Sequence, residues 1–245
     1  MNVALIFAGG IGTRMKTQGM PKQFLEFEGK SILIHSIMNF EEHKEIDAIV
    51  VVCLEDYIAT LQEEINNNNI KKVKWIVPGG ETGQMSIYHG LKKVYDEVKN
   101  PEEVIILLND GVRPLVSDEI ISRNLECVSK NGSSVTVCPV SETIVEVSEE
   151  DSIYNIPVRS QCYLSKAPQG FYLSDLIHAH NKAISDNRFD CTNSAELMRR
   201  YGHSLHVVYD TDENIKITTP TDIIIWKSLR RKEAGGENNA GYNTK

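Results

Sequence analysis

The chain has 245 residues, a formal net charge of −8, 41% hydrophobic residues and 24% charged ones. That length and apolar content support one sizeable core, and the acidic balance argues against a broad nucleic-acid face, which needs clustered basic charge. No apolar run approaches the ~20 residues of a membrane span, and the first one, from Val3, meets glycine at Gly9, too soon for a secretory leader, so a cytoplasmic protein is expected.

In chain order, Val3–Ala8 reads as a strand that runs into the glycine loop Gly9-Gly10-Ile11-Gly12, followed by Arg14 and then Pro21-Lys22-Gln23. Glycines let the backbone bend and come close to a ligand, and free N–H groups in such a loop form an anion nest. Arg14 and Lys22 add two cations beside it. Ile32–Phe40 reads as a helix, Ala48–Cys53 as a β-branched strand buried on both faces, Tyr57–Ile65 as a helix and Val73–Val77 as a strand. A second glycine-rich loop, Pro78-Gly79-Gly80-Glu81-Thr82-Gly83, precedes a helix from Ser86 to Lys99 whose apolar residues (Ile87, Leu91, Val94, Tyr95, Val98) share one face. Ser86, at its expected start, can cap the helix or face a ligand.

Val104–Leu108 is a further buried strand, ending in Asn109-Asp110-Gly111-Val112-Arg113-Pro114. A carboxylate at the end of a buried strand is costly without a partner. Mg²⁺ is one natural partner, since it takes one or two carboxylates plus phosphate oxygens, and Arg113 is another. After the helix Asp118–Ser129 the pattern changes. Val135–Pro139, Thr143–Val147 and Ile153–Val158 are strand-like with no helices between them, and Glu142–Val158 reads as a hairpin arm that turns at Ser148–Ser152. Its faces are less apolar than the core strands, which suits a projecting arm packed on a partner chain. Helices at Leu173–Ile184 and Ser194–Tyr201, a strand at Leu205–Val208 and a helix at Thr221–Arg231 follow. Lys216 lies just before the last helix, which Thr219 or Thr221 caps, and the Gly/Asn-rich tail 233–245 is expected to be disordered.

Alternating strands and helices predict an α/β, Rossmann-like, doubly wound and mostly parallel sheet, here with a projecting β-hairpin arm. Residues 1–232 form one domain, with 142–158 as a dimerisation arm. In such sheets ligands bind outside the carboxyl ends of the strands, the end from which both glycine loops leave. The five cysteines form no C-x-x-C pair and are expected to be buried free thiols. The first loop lacks the third glycine of a dinucleotide fingerprint and the lysine of a P-loop, which weighs against a nicotinamide-dependent oxidoreductase.

Taken together, Ala8–Met15 with Pro21–Gln23, Asp110–Pro114, Pro168–Phe171 and Asn214–Asp222 resemble, in this order, the cytidylyltransferases of the methylerythritol-phosphate and ribitol-phosphate type. The resemblance runs from residue 2 to about 230. It implies transfer of a cytidylyl group from CTP to an alditol phosphate with release of pyrophosphate, and a homodimer with shared sites. It implies that Arg14, Lys22 and Lys216 are catalytic cations, and that Ala8, Gly9, Gly10, Gly12, Gly80, Ser86 and Asp110 bind the nucleotide. Gly80 and Ser86 would recognise cytosine, Asp110 would bind Mg²⁺, and Thr143, Arg159 and Lys216 would hold the acceptor phosphate. Asn109 stands where the family often has His, Ala167 where it often has Thr, and Thr82-Gly83 follows Glu81 where an arginine is usual. Those departures, with Phe24 and Glu142–Glu146, lean toward the ribitol-phosphate branch, which feeds capsule or teichoic-acid-type polymer synthesis, over the isoprenoid branch.

Overall fold

Strands that are apolar on both sides need a helical layer on each, and this chain supplies both. The structure, a computed structural model, describes residues 1–10 and 20–234. In order these form β1 (Asn2–Ala8), the short hairpin β2 (Glu26–Phe27) and β3 (Lys30–Ser31), α1 (Ile32–Glu42), β4 (Ala48–Cys53), α2 (Ile58–Asn67), β5 (Val73–Pro78), α3 (Gly83–Glu97) and β6 (Ile105–Asp110). Then come α4 (Asp118–Asn131), β7 (Ser133–Pro139), β8 (Glu146–Val147), β9 (Ile153–Asn155), β10 (Tyr163–Tyr172), α5 (Leu173–Ser185), α6 (Ser194–Arg200), β11 (Val207–Tyr209) and α7 (Pro220–Ala234).

Seven strands form one sheet in the order β11-β7-β10-β6-β1-β4-β5. The strand β1 lies between β4 and β6, parallel to both. Alternate residues of β1 feed opposite layers. Ala4, Ile6 and Ala8 pack with α1, α2 and α4, while Val3 and Leu5 pack with α3, α5 and α6. The doubly wound expectation therefore holds.

The exception to parallel order is β10, antiparallel to both β6 and β7. Sequence reading assigned no strand there, because a Lys-Ala-Pro-Gln-Gly run breaks strand propensity and proline is rarely tolerated in a central strand. The chain accommodates it with a bulge. From Ser165 to Gln169 the strand advances four residues while its partner β7 advances two, from Val137 to Val135.

The arm is a separate hairpin of β8 and β9, turning at Ser148–Ser152 through a 2.9 Å backbone bond from the Ser148 N–H to the Ser152 carbonyl. Its paired strands are shorter than the expected Thr143–Val147 and Ile153–Val158, with Glu146 opposite Asn155 and Val147 opposite Ile153, and among the described residues they pair only with each other. All five cysteines are free, but only Cys53 and Cys138 are buried and the other three are half-buried. Gly12 and Arg14, and the tail beyond Ala234, lie outside the described residues.

Candidate active site

The sheet reverses its winding at β1, and the carboxyl ends of β1 and β6 open a crevice there. Register places Phe7 directly beside Asp110 across that edge. A cavity of about 580 Å³ opens over it, bounded by Phe7, the Thr82–Gln84 turn, Asp110, Lys166 and Lys216, and on the far side by the loop 189–194.

The two glycine loops meet at this edge, and a Cβ placed on Gly79 would sit 3.7 Å from the Gly9 Cα. The first loop is held from below by Gln23, only 1% exposed, whose amide donates to the Ala8 carbonyl at 2.7 Å and the Gly10 carbonyl at 3.2 Å. Sequence reading gave Gln23 no role. The second loop is held by Ser86, and here the expected helix start moves: α3 begins at Gly83 and Thr82 caps it, its Oγ1 accepting from the Met85 N–H. Ser86, one turn further in and 2% exposed, accepts from the Gly80 N–H at 2.9 Å and donates to the Thr82 carbonyl at 2.8 Å. At Gly80 a Cβ would lie 2.8 Å from the Met85 Cβ, so only glycine fits this loop.

At the centre stands Asp110, with a half-buried carboxylate. Lys216 Nζ lies 2.6 Å from one oxygen and Arg113 Nε 2.9 Å from the other. Burial pushes this carboxyl upward, but Lys216 and then Arg113 outweigh burial and hold it below the usual carboxylate range. Arg113, treated from sequence as a scaffold residue or a partner of Asp110, is both, since its guanidinium also donates to the Asn214 carbonyl at 2.8 Å. Lys22 reaches the same region from the Pro-Lys-Gln turn and donates to the Ile217 carbonyl at 3.0 Å. Thr219, not Thr221, caps α7: its Oγ1 accepts from the Asp222 N–H, and Asp222 in return accepts from the N–H groups of Thr218 and Thr219.

Among the described residues no three His, Cys, Asp or Glu side chains gather as a metal cage. Asp110 alone suits Mg²⁺, which takes one or two carboxylates and fills its shell with phosphate oxygens and water. Each Asp110 oxygen, engaged by one cation, has a second lone pair.

The structure thus brings together Ala8, Gly9, Gly10, Gly80, Ser86, Lys22, Asp110 and Lys216. It does not bring Thr143 and Arg159 to them within one chain. Both are exposed, and Arg159, bonded to the Ser141 carbonyl at 3.2 Å, lines a separate cavity at the base of the arm with Val158 and Tyr163. Two wall residues went unread in the sequence. Lys166 is almost fully buried, and His180, 1% exposed and packed against Tyr88, has neither ring nitrogen hydrogen-bonded among the described residues. Burial lowers the His180 pKa to about 4, so the ring is neutral.

The family model described as IspD, 2-C-methyl-D-erythritol 4-phosphate cytidylyltransferase, matches residues 2–231. The chain belongs to this family. It is a nucleotidyltransferase of the cytidylyl-transferring class, which sets aside the oxidoreductase reading. Among relatives within this cytidylyltransferase family, the ribitol-5-phosphate cytidylyltransferase of Vibrio parahaemolyticus is 48% identical over 229 residues, covering 94% of this chain and 95% of that one. The 2-C-methyl-D-erythritol 4-phosphate cytidylyltransferase of Clostridium botulinum is 33% identical over 231 residues, covering 94% and 98%. In fold, the crystal structure of 4-diphosphocytidyl-2C-methyl-D-erythritol synthase from Anaerococcus prevotii superposes with a TM-score of 0.79 at 24% identity, covering 94% of this chain and 96% of that one. No helix among the described residues is long and apolar enough to cross a membrane.

Proposed function

We propose that this cytidylyltransferase joins CTP to D-ribitol 5-phosphate, giving CDP-ribitol and pyrophosphate, for polymer synthesis of the capsule or teichoic-acid type. The observation that carries the chemistry is the pairing of Arg113 and Lys216 on Asp110 at the mouth of two glycine loops, with Lys22 bonded to the Ile217 carbonyl beside Lys216. For the acceptor, support comes from the identity of 48% to a ribitol-5-phosphate enzyme against 33% to a methylerythritol-phosphate one, each nearly full length. Ala167 in place of the family's threonine removes a hydroxyl near the acceptor end and points the same way.

The reaction asks little of a general base. A phosphate monoester has a second pKa near ~6, so the acceptor oxygen is already ionised at neutral pH. The obstacle is bringing two polyanions together, and catalysis is then positioning plus positive charge aimed at the α-phosphoryl group. In this reading Arg14 and Lys22 hold the triphosphate, the backbone of Ala8, Gly9, Gly10 and Gly12 cradles it, and Gly80 with Ser86 shapes the cytosine pocket. Lys216 faces the reacting phosphates. Asp110 would hold Mg²⁺ together with substrate oxygens, and the ion when bound adds charge neutralisation at the phosphates. The arm would cross to a second subunit, where Thr143 and Arg159 complete the acceptor site. Its exposed Val147, Ile153, Tyr154, Ile156 and Val158 support a homodimer.

Pyrophosphate release from CTP and Mg²⁺, measured against a panel of polyol phosphates, tests this. Ribitol 5-phosphate should give the highest kcat/KM. A preference for methylerythritol 4-phosphate would move the enzyme to the isoprenoid branch, and equal use of UTP or ATP would sink the cytosine assignment.

A further inference from the structure

Lys166 stands on the bulge of β10. Continuing the antiparallel register from Gln169 opposite Leu108 sets the bulge level with Asp110. The two residues that follow it are fastened. The Pro168 carbonyl accepts from Thr136 Oγ1 at 2.6 Å, and the Ala167 carbonyl accepts from Asn214 Nδ2 at 2.8 Å. Fixed this way, the bulge turns Lys166 inward, where it is 8% exposed. A buried ammonium is expensive unless every proton finds an acceptor. Here the three N–H donors meet three backbone carbonyls, those of Thr211 at 3.0 Å, Asp212 at 3.3 Å and Asn214 at 3.1 Å.

Those carbonyls belong to the segment that carries Lys216, and the same segment is gripped elsewhere. Arg113 donates to the Asn214 carbonyl, Lys22 to the Ile217 carbonyl, and the Ile217 N–H to the Val112 carbonyl. With its three donors met by backbone carbonyls, Lys166 borders the cavity and has no free N–H to offer a phosphate. Burial lowers its pKa, which the surrounding carbonyls tolerate without an acidic partner in hydrogen-bonding contact.

We propose that Lys166 is a positioning residue for the transfer step: by tying the Thr211–Asn214 backbone to the β10 bulge, it sets where Lys216 meets Asp110 and the reacting phosphates. The proposal rests on the cytidylyl-transfer reading. It differs from a fourth substrate-binding cation in acting through Lys216. A displacement of about 1 Å in a catalytic group costs ~10²-fold in rate, so a clasp of three bonds on the segment that carries Lys216 has leverage on turnover.

The test is a double-mutant cycle with CTP, Mg²⁺ and ribitol 5-phosphate. K166M, which keeps the stem and removes the donors, should lower kcat by roughly 10–100-fold with KM for CTP within about threefold. In a K216A background the same change should cost less than about twofold, because residues acting as a unit are not additive. K166R should recover most of the loss. Should K166M not fold, K166Q, with two amide N–H donors on a shorter arm, replaces it and should show the same non-additivity with a smaller loss. Hydrogen exchange at amides 211–217 should quicken in K166M while β1 and β4 stay protected. An undiminished kcat, or an equal loss with and without Lys216, overturns the proposal, and a raised KM for substrate with additive losses assigns Lys166 to direct phosphate binding instead. If the wild-type protein releases no pyrophosphate with any acceptor, the functional reading has failed, and unchanged exchange at 211–217 would then separately overturn the clasp.

Discussion

The crevice at the end of β6 and the arm of residues 142–158 solve opposite problems. In the crevice, charged groups are matched inside one chain: Asp110 by the buried Arg113 and the exposed Lys216, and the buried Lys166 by three carbonyls. On the arm, Val147, Ile153, Tyr154, Ile156 and Val158 are each more than half exposed, and only two residue pairs hold the strands together. An isolated two-stranded hairpin is marginal in water. On the proposed reading, the nucleotide end of the site is built within a protomer, whereas the acceptor end, served by Thr143 and Arg159, needs a second copy.

The contrast is sharpest in the size of mutational effects. Lys22→Ala and Lys216→Ala should each cut kcat by ~10²-fold or more, the loss of one preorganised charge donor. Steady-state pyrophosphate release at saturating CTP checks this, and near-wild-type turnover would remove that lysine from the catalytic set. Ile156→Asp with Val158→Asp should give a monomer by light scattering and lose at least about tenfold in activity, with CTP affinity by calorimetry little changed, because a charge in an apolar interface is costly to bury. An active monomer would break the comparison outright.

Asp110→Asn should lower stability by on the order of 1–3 kcal/mol, since it leaves the buried Arg113 without its counter-ion while Lys216, 42% exposed, turns to water, and urea titration reads this directly. His180 gives a pH signature confined to the crevice. Its folded pKa is about 4 against ~6.5 unfolded, so the unfolded state takes up the proton first. Stability tied to the neutral ring is complete above about pH 6.5 and falls by about 3 kcal/mol as pH drops toward 4. His180→Leu should flatten that slope in denaturant titrations across the range. Gly80→Ala is the smallest expected change, about 1–3 kcal/mol from overpacking on Met85, seen as a raised KM for CTP with kcat nearly intact.

Much of this was legible in the chain. Apolar runs such as Ala48–Cys53 reported a sheet covered on both faces, and local glycine spacing reported two loops at one edge. Asp110 at a strand end announced a group in need of partners. What stayed hidden were bonds that join distant residues: Gln23 under the first loop, Ser86 as a loop brace rather than a cap, Lys166 on a segment 48 residues away. The strand β10 was hidden for a related reason, because its propensity is poor and its place depends on β6, β7 and a bulge. Periodicity and loop chemistry are local signals and can be read in a line. Arg113, three residues from Asp110, was within that local reach; the pairing of the distant Lys216 with the same carboxylate exists only once the fold brings separate strand ends together, and tertiary structure alone decided it.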